Sequence, residues 1–179
     1  AKNYLIMLSK NIEIALNKQI RIEAESSQIY LSMACWSEVN GLEGIAQFMY
    51  AQSDEERLHM LKLIKYVNER GGHAQITDLA APKTTYETFK GMFEELYKHE
   101  IFVSNSINEL VHITFEEKDY ATHNFLQWYV AEQIEEEATA KTILDKINLI
   151  GDDKGGLYLF DRDIQQIAVV NAAAATAAK

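Results

Sequence analysis

The 179-residue chain is long enough for one domain with a substantial core, and its single proline and eight glycines favour long helices over sheet. A net charge of -10 and a pI near 5.0 argue against nucleic acid or an anionic membrane surface as partner, and favour cations. No stretch of about 18 apolar residues and no secretory signal pattern is visible, and Cys35 is alone, so a reduced, cytoplasmic setting is expected without a disulfide or Cys-rich metal site.

The first helix is predicted from Ser9, a good N-cap, to about Glu38, where Asn40-Gly41 stops it. Its core stripe reads Ile12, Leu16, Ile20, Glu23, Ser27, Tyr30 and Ala34, and Cys35 is expected as a buried small apolar residue. The second helix spans about Leu42 to Arg70 and ends at Gly71-Gly72, with the stripe Ile45, Met49, Gln52, Glu56, His59, Leu63, Tyr66 and Arg70. Residues 73–84 contain Pro82 and no clear period. Thr84-Thr85-Tyr86-Glu87 reads as a capping box that opens the third helix. The stripe there is Phe89, Phe93, Leu96, Glu100, Val103, Ile107, Leu110 and Thr114. A polar break at 116–119 leads into the fourth helix, about Tyr120 to Ile150, with the stripe Leu126, Tyr129, Gln133, Glu136, Ala140, Ile143 and Ile147. Gly151 ends it, and Leu157 to Ile167 forms a short fifth helix. Residues 1–167 are read as one domain, and 168–179 as an alanine-rich tail without assignment.

Four helices of about 29 residues are each roughly 43 Å long. The connection between the second and third, about 14 residues, can reach roughly 46 Å when extended. The other two connections are only a few residues. The expected fold is therefore all-α: a four-helix bundle with one long crossover between the second and third helices, plus the short fifth helix.

Mid-helix residues share one cross-section of such a bundle whichever way each helix runs. Glu23, Glu56, His59, Glu100, Gln133 and Glu136 all fall there, on core stripes where Leu or Ile would be expected. A buried carboxylate without compensation costs several kcal/mol or more. No basic residue occupies a stripe position near the layer, so four carboxylates call for two divalent cations. Carboxylates with a single imidazole suit iron or manganese, with zinc as a competitor. Glu56, central among these residues, is the natural bridge between two ions. Tyr30, two turns beyond Glu23, is placed to hydrogen-bond a ligand or to supply one electron to bound oxygen.

Glu23, Tyr30, Glu55-Glu56-x-x-His59, Glu100 and Gln133-x-x-Glu136, with the stretch Asn124 to Gln133, resemble the ferroxidase centre of the bacterial non-haem ferritins. The likeness covers about residues 4 to 167. It implies one iron site at Glu23, Glu56 and His59, and a second at Glu56, Glu100 and, in part, Gln133 and Glu136. It also implies a third site at Glu55, Glu132, Glu135 and Glu136, although Glu55, Glu132 and Glu135 read equally as a solvated acidic face. For function, the resemblance implies oxidation of Fe(II) by O2 or H2O2 and storage of ferric mineral in a cage of 24 identical subunits. Haem is not expected, because Arg57 stands where haem-binding relatives carry methionine. His123 and Leu126 replace the acidic pore residues of animal ferritins. The rival readings are a di-iron oxygenase or peroxidase built on the same bundle, and a structural cage subunit without oxidase activity.

Overall fold

The computed structural model describes residues 8–177, and side chains as far as 167. It contains five helices: α1 (Lys10–Val39), α2 (Glu43–Glu69), α3 (Phe89–Glu116), α4 (Tyr120–Ile150) and α5 (Lys154–Ala177). Among the described residues there is no strand, and the all-α bundle with its single long crossover stands as the sequence implies. Residues 1–7 and 178–179 of the two predicted regions lie outside the described residues.

Helix directions follow from the hydrogen bonds across the bundle. Between α1 and α3 the pairs Gln19–Ser106, Tyr30–Glu100 and Ser37–Met92 run in opposite order, so these helices are antiparallel. Between α2 and α4, Gln52–Glu136, His59–Tyr129 and Tyr66–Thr122 do the same. With α1 and α2 joined by a tight turn, α2 and α3 must be parallel. Only the crossover over residues 71–88 can make that connection.

The crossover is strapped to α1. Asn17 donates to the His73 carbonyl and accepts from the Gln75 N–H; Glu13 accepts from the His73 N–H; Ser32 donates to the Lys83 carbonyl. From residue 13 to 32 an α-helix rises about 28 Å, and ten extended residues cover about 33 Å. The strap therefore needs an extended chain, which is why no period shows there.

Helix α3 begins at Phe89, later than the Thr84 capping box predicts. Its cap is Thr88, whose hydroxyl accepts from the Gly91 N–H at 2.9 Å. Tyr86 is drawn under the crossover instead, against the Trp36 ring, so the chain stays extended past Glu87. Cys35 is exposed rather than buried, because the buried phase of α1 falls on Met33, Ala34 and Ser37. The fifth helix opens at Lys154 and runs through the alanine-rich segment to Ala177, longer than the predicted Leu157 to Ile167.

The apolar core is split in two. One cluster holds Met33, Phe48, Phe93, Leu96, Ile143 and Ile147; the other holds Leu16, Leu63, Val67, Val103, Ile107 and Leu126. On every helix of the bundle a buried polar stretch separates the two.

Candidate metal centre

The separating layer contains Glu23 and Gln19 from α1, Gln52, Glu56 and His59 from α2, Glu100 from α3, and Gln133 and Glu136 from α4, all buried. Each carboxylate stands at a helical core position, so a straight helix aims it inward whatever its chemistry.

His59 organises the first group. Its Nδ1 lies 3.3 Å from Glu56 Oε2 and 3.8 Å from Glu23 Oε2, and neither oxygen has a hydrogen-bond partner. Ligands held about 2.0–2.2 Å from one ion stand roughly 3–4 Å apart, so the spacing and the two orphaned oxygens fit a divalent cation. Around this group the partners are fixed. Glu23 Oε1 accepts from Gln19 Nε2 at 2.7 Å, and Gln19 Oε1 accepts from the Ser106 hydroxyl at 2.7 Å. The Tyr129 hydroxyl donates to the His59 backbone carbonyl at 2.7 Å, and Trp128 meets the imidazole edge-on at 5.2 Å.

Glu100 and Glu136 form the other side. The Tyr30 hydroxyl donates to Glu100 Oε1 at 2.5 Å, while Gln133 Nε2 makes three long contacts of 3.3 Å, to Glu100 Oε2, the Glu100 carbonyl and the Ser104 hydroxyl. Gln52 Nε2 donates to Glu136 Oε2 at 3.0 Å.

Without cations the layer holds protons. Burial pushes the Glu56 carboxyl well above the usual range, and Glu100 upward despite the hydrogen bonds from Tyr30 and Gln133. Burial and the neighbouring Glu100 push Glu136 up to about 8. Glu23 is subject to the same burial, its largest single influence, but the neighbouring His59 and the hydrogen bond from Gln19 together outweigh it and lower its pKa. Burial would lower His59, yet Glu23 and Glu56 together raise it well above its ordinary value. Positive charge is what the layer lacks.

A second group lies outside the first. Glu55 and Glu132 bring oxygens within 4.8 Å of a His59 nitrogen and of each other, and burial raises both carboxyls. Glu135 is exposed and stands apart from both groups, although its charge acts on Glu55 and Glu132. Leu126 is fully buried in the core, so it faces no opening.

Two supporting residues escaped the sequence reading. Gln52 lies on the predicted stripe, and its amide could have been flagged there; Gln19 lies four residues before Glu23, at hydrogen-bonding distance on a helix.

A family model for the ferritin-like domain matches residues 13–150. A probable bacterial non-haem ferritin-like protein of Haemophilus influenzae is 46% identical over 162 residues, covering 90% of this chain and 98% of that one. The bacterial non-haem ferritin of Campylobacter jejuni is 45% identical over 163 residues, covering 91% and 98%. Among solved structures, an open-pore ferritin from the archaeon Archaeoglobus fulgidus superposes with a TM-score of 0.88 at 42% identity, over 90% of this chain and 98% of that one.

Proposed function

Since the chain belongs to the ferritin-like family, among the bacterial non-haem ferritins, we propose that it oxidises and stores iron, with Fe(II) bound in pairs at the buried carboxylate layer. The observation that carries the reading is the pair of orphaned oxygens, Glu23 Oε2 and Glu56 Oε2, converging on His59 Nδ1 between two apolar clusters.

In this reading Glu23, Glu56 and His59 hold one Fe(II), and Glu56, Glu100 and Glu136 hold the second, with Gln133 beside it. Glu56 is the shared ligand. Fe(II) entry displaces the protons that burial keeps on Glu56, Glu100 and Glu136. Each pair then gives two electrons to the oxidant: two Fe(II), O2 and two protons yield two Fe(III) and H2O2. With H2O2 as oxidant, two Fe(II) and two protons yield two Fe(III) and two waters. The apolar clusters above and below keep the layer dry, so charge neutralisation there is strong. The Tyr30 hydroxyl orients Glu100 toward the second ion. Glu55 and Glu132 form an outer acidic position through which iron passes, with the exposed Glu135 acting on it by its charge.

Storage needs an enclosure. Val39, Phe102, Phe115, Tyr120, Ile134 and Leu149 are large apolar side chains exposed on the single chain, surface that contacts between subunits would cover. A homo-oligomeric cage of 24 chains, each of 20.4 kDa and together about 490 kDa, covers such surface. No helix of the described residues is long and apolar enough to cross a membrane. A cytoplasmic setting, where Fe(II) and a free Cys35 both persist, completes the proposal.

The test is Glu56→Ala and His59→Ala. Stopped-flow Fe(II) oxidation should lose its fast phase in both, while the native mass stays near that of the cage. Unchanged oxidation kinetics would remove the site from the reaction, and a dimeric particle would favour an oxygenase or peroxidase.

A further inference from the structure

Lys62 has no part in the centre described above. It lies three residues after His59 and seven after Glu55 on α2, so the three share one flank of that helix. Its ammonium sits 3.6 Å from the centroid of the Trp128 ring, a cation over an aromatic face. The same indole packs edge-on against His59, and Glu132 follows one turn later on α4.

The charges are coupled. Burial lowers the Lys62 ammonium while Glu132 opposes that shift; burial raises Glu132, opposed first by His59 and to a smaller extent by Lys62. Packing against Trp128 would be served as well by an apolar side chain. A lysine there adds one positive charge beside Glu55, His59 and Glu132, whose ligand atoms lie within 4.8 Å of one another.

We propose that Lys62 is a tethered counter-cation for this outer cluster, fixed by the face of Trp128, which keeps a third divalent ion weakly held there. The proposal rests on the iron-binding reading of the inner layer, with which the outer cluster shares His59. It makes Lys62 a positioning and affinity-setting residue, not a ligand. A third ion must enter against the charge held over the Trp128 ring, whose edge contact is His59, and this weakens its binding by about tenfold at the partly screened outer face. Weak retention suits a point of passage, because a tightly bound ion there would stay beside the inner pair.

The experiment is a charge ladder at one position, Lys62→Arg, Lys62→Met and Lys62→Glu, in the assembled full-length protein. Co(II) is titrated without oxygen, followed by calorimetry and visible absorption. The first two ions per chain should bind alike in every variant. The third should bind as in wild type for K62R, about tenfold tighter for K62M, and tighter again for K62E. The differences should shrink in about 0.5 M KCl. Third-ion affinity that ignores charge, or follows side-chain size, overturns the proposal. So does the absence of a third ion in all variants while two still bind. Fewer than two ions in wild type would instead overturn the inner centre itself.

Discussion

Asp161 of α5 caps α2 from outside: its Oδ1 accepts from the backbone N–H of Ile45 at 2.9 Å. Its Oδ2 accepts from the Gly44 N–H at 3.2 Å. Leu42, at the N-cap position, has no side-chain hydrogen bond to offer, so the first turn of α2 takes its acceptors from a distant segment. Gly44 permits the approach, because a Cβ there would lie 1.6 Å from the Asp161 carbonyl oxygen. The fifth helix is thereby locked to the bundle at a carboxylate and a glycine.

Asp161→Ala should cost about 1 kcal/mol, a typical loss for an N-cap. For a chain of this size that corresponds to roughly 2–4 °C in Tm. Gly44→Ala should cost more, since backbone rather than a flexible side chain must move. Scanning calorimetry checks both, and the initial rate of Fe(II) oxidation should be unchanged because neither residue reaches the polar layer. A Gly44→Ala protein as stable as wild type would show that α5 does not dock as described.

Tyr30 presents two roles in the sequence, hydrogen-bond donor or electron source, and the geometry supports the first. Its hydroxyl donates to Glu100 Oε1 at 2.5 Å, and burial followed by the neighbouring carboxylates raises its pKa well above the ordinary value, so it stays protonated. Tyr30→Phe leaves the ring and removes the donor. Second-ion affinity should fall by roughly tenfold, the scale seen when a ligand loses its orienting partner. Anaerobic Co(II) titration measures this. If affinity holds and only the oxidation rate drops, the hydroxyl acts in electron transfer instead.

Much of the fold and of the polar layer is legible in the sequence because both rest on one regularity, the helical period. The α3 stripe from Phe93 to Thr114 is buried as predicted, and the α4 stripe from Leu126 to Ile147 likewise. What period cannot show depends on tertiary contacts. The start of α3 moved because Tyr86 is claimed by Trp36, a partner 50 residues away. Asp161 as a cap for α2 lies 116 residues from the N–H of Ile45 that it accepts from. The supporting amides of Gln19 and Gln52 act by distance, which a stripe does not encode.

Gln19 links Glu23 to Ser106, holding Glu23 Oε1 so that Oε2 faces His59. Gln19→Leu keeps the volume and removes the clamp. The first ion should bind about tenfold more weakly, with fold and mass unchanged. Gln19→Glu should not rescue it, because a second carboxylate would repel Glu23. Wild-type affinity in the leucine variant, read in the same anaerobic titration, would show the clamp to be idle.

The protons in the layer set how the metal-free protein responds to pH. Glu56 and Glu100 titrate above their ordinary 4.5 in the folded state, and Glu136 at about 8. Between those limits the folded chain holds more protons than the unfolded one, so stability falls as pH rises through the window. His59, raised by Glu23 and Glu56, acts in the same direction above its ordinary 6.5. Glu23 has a lowered pKa, so its contribution is present above 4.5 and is lost only in more acidic solution. With EDTA present, Tm should therefore decline from about pH 5 to about pH 9. Divalent ions need the deprotonated ligands, so the stabilisation they add should grow over the same range. The gap between the Tm curves with and without Co(II) should widen steadily as pH rises. A metal-free Tm that climbs across this range would mean that the buried carboxylates are already charge-balanced without metal, and the reason for ions in the layer would be gone.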